Sequence, residues 1–183
     1  MPPKKQILAE LDSARAAVLE YVRSLPDALW EESEPPGWSP AQIVAHLVMV
    51  DAATLTSFSR AESGEEPRRR LTLRERFLAV PPAAVRHALM KVTAPSWVRP
   101  ESTTSLDEAV RRITSIRREL IAFVESRSDQ ELQRLAVRHP FLGWMSASHG
   151  LRLLAAHDRR HLTQMHRVVR QTAKNPRTRA VAA

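Results

Sequence analysis

His157 and His161 stand four residues apart in the run Leu154-Ala-Ala-His157-Asp-Arg-Arg-His161. On a helix this spacing puts two imidazoles on one face, about 6 Å apart along the axis, so both can reach one metal ion. Such pairs also arise by chance, and the setting decides more than the spacing. Leu154, His157, His161, Met165 and Val168 form one stripe, so both histidines take core positions. His46 sits in the same way between Ile43 and Val50. Three imidazoles then face one interior, where an unpaired polar ring costs on the order of a few kcal/mol. A divalent cation between neutral rings removes that cost and leaves a coordination position open, as catalytic metal sites do. Imidazole donors favour zinc or nickel over calcium or magnesium. Hydrogen bonds from each ring to a carbonyl or a buried carboxylate would also satisfy these positions, and spacing does not choose between the two.

Other residues near these positions carry less. Asp158 follows His157 as the glutamate does in His-Glu-x-x-His, but its side chain is one methylene shorter. An acidic group at the rim of the site, or a surface ion pair with Arg159 or Arg160, is the expectation for it. His87, His149 and His166 project off the stripes of their helices and read as surface residues; His139 precedes Pro140 in a loop. Trp38 is expected to plug the bundle end, and Trp97 and Trp144 to pack a crossover and a loop onto the helices.

Presenting three side chains to one interior requires long, regular elements. Residues 4–24 carry Ile7, Leu11, Ala14, Val18 and Val22 at spacings of three and four, and Pro26 stops the pattern. Ser39-Pro-Ala-Gln42 opens a second helix with a capping box, and Ser63-Gly64 closes it. Residues 64–104 are too long for a simple loop and predict a crossover with one or two short helices, one of them over 83–92. Ser105-Leu-Asp-Glu108 opens a third helix with Leu106, Val110, Ile113, Leu120 and Val124 inward and Arg111, Arg112, Arg117, Arg118 and Glu119 outward. A short turn from Ser128 to about Val137 precedes a break at 139–143, and a fourth helix runs from Ser146 to Thr172. Four such helices predict an all-α four-helix bundle.

The 183-residue chain suits one domain, and alanine, arginine and leucine dominate it while glycine is scarce. It contains no cysteine, which excludes a disulfide scaffold, a thiolate metal site and a cysteine nucleophile, and suits a reducing, cytoplasmic setting. No uninterrupted apolar run approaches the ~18 residues of a membrane span, so no membrane partner is expected. The net charge is +8, and arginine outnumbers lysine 24 to 4. These arginines are spread over every helix and few aromatics accompany them, so specific nucleic-acid binding is not expected. A basic mouth that attracts anionic substrates is the better use of the charge.

Trp38-Ser-Pro-x-x-Ile-x-x-His46, then a long crossover, Gly143 and Ser146, then His157-Asp-x-Arg-His161-x-x-Gln164, resembles the DinB/YfiT-like superfamily of four-helix-bundle metal proteins. The resemblance runs over residues 5–172 and implies a single bundle with a long crossover between helices two and three. It implies a divalent metal on His46, His157 and His161, with Asp158, Arg160 and Gln164 around those ligands, and often a homodimer. Relatives include transferases and isomerases that use a low-molecular-weight thiol, and hydrolases. The expectation is therefore a metal-dependent transferase or hydrolase acting on a small molecule, with water or an external thiol as nucleophile. The alternative is a non-catalytic, metal-stabilised bundle that serves protein association or binds nucleic acid weakly. Residues 173–183 lack periodicity and are expected to form a disordered tail.

Overall fold

The computed structural model describes residues 2–33, 37–65, 70–72, 75, 80–87, 94–100 and 104–172, without the His87 side chain. The tail expected over 173–183 and part of the crossover lie outside these residues. In chain order the elements are α1 (Lys4–Arg23), α2 (Pro40–Ser63), α3 (Pro82–His87), α4 (Leu106–Glu125), α5 (Asp129–Arg134), β1 (Ala136–His139), β2 (Gly143–Ser146) and α6 (Ala147–Thr172). Short 3₁₀ turns at Asp27–Leu29 and Ser96–Val98 punctuate the connections. The four long helices α1, α2, α4 and α6 make a four-helix bundle in which α1 lies along α6 and α2 along α4.

Local chemistry sets the ends of these helices. At α2 the Gln42 amide donates to Ser39 Oγ at 3.2 Å and the Ser39 amide donates to Gln42 Oε1 at 3.0 Å, satisfying two otherwise orphaned donors. Gly64 ends α2 at φ 82°, a left-handed conformation that a side chain would strain. Ser105 and Ser128 cap α4 and α5 through the amides of Glu108 and Glu131. By length and composition α2 is the one helix among the described residues that could cross a bilayer. In the fold it packs on α4 and α6 and turns His46 and Asp51 inward, so its apolarity serves the core.

The β1–β2 hairpin stands where the sequence predicts a short turn to about Val137 and a break at 139–143, within a chain that is otherwise mostly helical. The chain leaves α5 at Arg134 and pairs Ala136 with Ser146 and His139 with Gly143 in antiparallel register. Each strand has four residues, too few for alternation to stand out from a helical pattern. Its turn is closed by His139, whose Nδ1 accepts from the amides of Phe141 and Leu142 at 3.2 Å each, and by Gly143 at φ 76°. From β2 the chain runs directly into α6, and the Ala147 amide donates to the Leu135 carbonyl at 2.8 Å.

The bundle interior is divided. One apolar cluster gathers Leu11, Phe58, Leu120, Val124 and Leu151; the other gathers Val18, Ile43, Leu47, Ile113 and Met165. Between these two clusters along every long helix lies a buried charge: Arg15, Asp51, Arg117 and Asp158.

Candidate metal centre

Helix α2 delivers His46 and helix α6 delivers His157 and His161 one turn apart. Each of these three residues offers one ring nitrogen, and those atoms all lie within 4.8 Å of one another. His157 Nε2 stands 3.0 Å from His161 Nε2 and 3.4 Å from His46 Nε2. Among the described residues this is the one such cluster of ligand-type side chains. His46 and His161 are buried and His157 is half-buried, so the centre sits inside the bundle wall with one ring toward its edge.

The outer nitrogens decide what the inner ones can do. His46 Nδ1 donates to the Val98 carbonyl at 2.7 Å, and His161 Nδ1 donates to Gln164 Oε1 at 2.8 Å. Both acceptors lack hydrogens, so each ring must carry its proton on Nδ1 and present a bare Nε2 lone pair. Those two lone pairs face each other across His157, which has a single Nε2 and can donate to one of them at most. His157 Nδ1 is buried without a hydrogen-bond partner among the described residues. Three convergent lone pairs on neutral imidazoles are a donor set suited to a divalent transition-metal ion, so the residues fit the group that the family resemblance implies.

Burial keeps the rings neutral. It pushes His46 below the usual histidine range, against the opposing pull of its bond to Val98. It pushes His157 well below that range, with the charges of His161, His46 and Arg160 adding to the effect. It takes His161 down to about 3, with His46 contributing next. Neutral imidazole is the form that binds metal, so no proton needs displacing near neutral pH.

The flanking residues divide into three cases. Gln164 bonds His161 directly and fixes its ring orientation. Arg160 donates to the Val85 carbonyl at 3.3 Å, tying α3 to α6, and its positive charge reaches His157 and His161. Asp158 overturns its expectation. It is fully buried and pairs with neither Arg159 nor Arg160 but with Arg15 and Arg117, pointing away from the rim into the charge layer.

That layer is what sequence reading missed. Arg117 was expected on the outer face of its helix and is instead 3% exposed, with Nε on Asp51 Oδ2 at 2.9 Å, Nη2 on Asp51 Oδ1 at 3.0 Å and Nη2 on Asp158 Oδ2 at 3.0 Å. Arg15 makes the complementary set: Nη2 to Asp51 at 3.0 Å, and Nε and Nη2 to the two Asp158 oxygens at 3.2 Å. A signal for it exists. Each charge stands four residues after a core residue, at Leu11/Arg15, Leu47/Asp51, Ile113/Arg117 and Leu154/Asp158. Each therefore fills a slot in an apolar stripe, and the charges on the four helices sum to zero.

The remaining histidines and tryptophans are also partly rearranged. His149 is buried rather than on the surface, with Nε2 donating to the Val80 carbonyl at 3.0 Å, because the crossover folds back over its helix. His166 is half-buried against Tyr21, ring centroids 3.9 Å apart, and the His87 side chain lies outside the described residues. Trp38 stands beside the centre, 5.0 Å from the His46 ring. Trp97 is 56% exposed and, with Met49, Arg99 and Arg112, lines a cleft of about 440 Å³ that includes none of the three histidines.

Comparison with known proteins agrees with this architecture. YfiT from Bacillus subtilis, described as a probable metal-dependent hydrolase with an unusual four-helix-bundle topology, superposes with a TM-score of 0.63 at 14% identity, covering 93% of this chain and 87% of its own. The four-helix bundle protein TT2238 gives 0.60 at 19% identity, covering 90% and 98%. The colibactin self-resistance protein ClbS, solved in complex with double-stranded DNA, gives 0.64 at 16% identity, covering 92% and 96%. No curated protein matches the chain. At these identities the structural likeness establishes the fold. The sequence pattern of the DinB superfamily matches residues 10–165, nearly the whole bundle and all three histidines, and this chain belongs to that superfamily.

Proposed function

We propose that this chain is a metal-dependent enzyme that uses a divalent transition ion, zinc or nickel, on His46, His157 and His161 to act on a small electrophilic molecule. The observation that carries the reading is the pair of protonated Nδ1 atoms, on Val98 and on Gln164, that turns two bare Nε2 atoms toward a third. A divalent ion on three neutral imidazoles keeps its full charge and supplies Lewis acidity to water or to an external thiol. The chain's own groups do the rest. Val98 and Gln164 hold two rings in place, Arg160 adds positive charge beside the site that suits an anionic substrate, and Trp38 walls it beside His46. With no cysteine in the chain, a thiol nucleophile has to arrive as a co-substrate. Hydrolysis and thiol transfer therefore share one site and differ in the nucleophile admitted. YfiT's description as a probable metal-dependent hydrolase favours water. A homodimer and a cytoplasmic setting belong to the same reading.

Metal analysis of untagged protein tests it. One ion per chain is expected, and His161→Ala should reduce the content at least tenfold. Turnover of an activated ester, or of an electrophile with a small thiol, should then disappear in His157→Ala. Unchanged metal content in His161→Ala would remove the reading.

A second reading has its own observations: the net charge of +8 and the ClbS complex with DNA. Here the arginines would meet phosphate, and the metal would stabilise the bundle. Anisotropy titrations with duplex DNA separate the two. Affinity that collapses between about 50 and 200 mM salt is unspecific phosphate contact and leaves the enzyme reading in place. Tight, salt-tolerant and sequence-dependent binding would replace it.

A further inference from the structure

Burying two arginines and two aspartates is a poor route to stability, since an apolar set of similar volume is generally as stable or more so. This layer is not even fully satisfied: Nη1 of Arg15 and Nη1 of Arg117 are both buried without a hydrogen-bond partner among the described residues. Its placement indicates a different property. Both aspartates come from the helices that carry the histidines, Asp51 on α2 and Asp158 on α6. Both arginines come from the other two helices, and each grips both aspartates. Arg15 and Arg117 are thus two independent bridges between α2 and α6. Asp158 adjoins His157 and lies one turn from His161, and Asp51 lies about 7.5 Å along α2 from His46.

Apolar contact is non-directional and leaves the rotation and axial shift of one helix against another loosely determined. A guanidinium fork on a carboxylate has one planar geometry. Three nitrogens from two helices must meet within 4.8 Å, and a one-residue slip of 1.5 Å along either axis is large on that scale. We propose that the Arg15–Asp51–Arg117–Asp158 layer is a positioning device that sets the register of α2 against α6 so that His46, His157 and His161 converge on one ion. The inference rests on the metal reading of those histidines.

The experiment compares cobalt(II) binding and unfolding in four chains: wild type, the apolar quadruple variant Arg15→Met/Asp51→Leu/Arg117→Met/Asp158→Leu, Arg117→Lys and Asp51→Glu. The quadruple variant should unfold cooperatively at or above the wild-type temperature, yet bind cobalt at least tenfold more weakly with an altered visible absorption band. Arg117→Lys keeps the charge and loses the fork, and should fold while shifting the band in the same direction. Asp51→Glu would lengthen one arm and is expected to shift it again. A quadruple variant that binds cobalt with wild-type affinity and spectrum overturns the inference alone. If that variant does not fold, Arg117→Lys decides: a folded protein with the wild-type spectrum overturns it and a shifted band supports it. Wild type that takes up no cobalt overturns the metal reading and this inference with it.

Discussion

Val98 and His46 lie 52 residues apart in the chain, yet the Val98 carbonyl accepts a 2.7 Å hydrogen bond from His46 Nδ1. The acceptor is a backbone atom in a 3₁₀ turn of the crossover, and the Val98 side chain, 3% exposed, seats that turn against α2. The crossover therefore does more than connect two helices. It fixes the tautomer of a candidate ligand.

Val98→Gly removes the buried side chain and frees the backbone that presents the carbonyl. Zinc affinity should fall about tenfold, the usual scale for losing an orienting partner, while helix content stays the same by circular dichroism. Wild-type affinity in this variant would mean that the carbonyl does not orient the ring.

Gln164 performs the matching task for His161 from within the same helix. Gln164→Leu should weaken zinc binding by a similar factor. Gln164→Glu should restore it, because a carboxylate accepts the Nδ1 proton at least as well. Equal affinity in the leucine and glutamate variants, by competition with a chromophoric chelator, would count against this role.

Acid should destabilise the metal-free protein through the same rings. His161 titrates at about 3 in the folded chain against 6.5 for the ordinary side chain, and His46 and His157 are shifted down as well. Below pH 6.5 the unfolded chain takes up protons that the folded chain refuses, so stability is full above that value and is lost as pH falls toward 3. The loss is about 1.4 kcal/mol per pH unit for each histidine fully held neutral. Urea unfolding at pH 6.5 and pH 5 should show it; stability that is flat or rising across that interval would contradict the burial argument.

Removing one member of the charge layer should be far worse than removing all four. Asp158→Leu leaves Arg15 and Arg117 each short of an anion in the core, where stranding a buried charge costs about 3–5 kcal/mol. Thermal and urea unfolding of the single variant measure the loss. A change below about 1 kcal/mol would mean that the layer is more hydrated than its burial indicates.

Much of this protein is written locally in its sequence. Ser39, Gln42 and Gly64 mark the two ends of α2 because caps act over three or four residues, and the 3.6-residue period sorts inward from outward faces one helix at a time. The same period puts His157 and His161 on one face and His46 in an apolar stripe, so the candidate ligands are legible before any helix is packed. Tertiary structure decided which charges are core and which are surface. Arg117 carries only a faint local mark, its place four residues after Ile113, and the arrival of Asp51 and Asp158 from helices 66 and 41 residues away is what makes its burial tolerable. The His46–Val98 bond and the folding of Val80 over His149 are of the same kind. Each depends on how one element is rotated and shifted against another, and that is a property of the whole packed bundle, set when all four stripes pack and the four buried charges pair together.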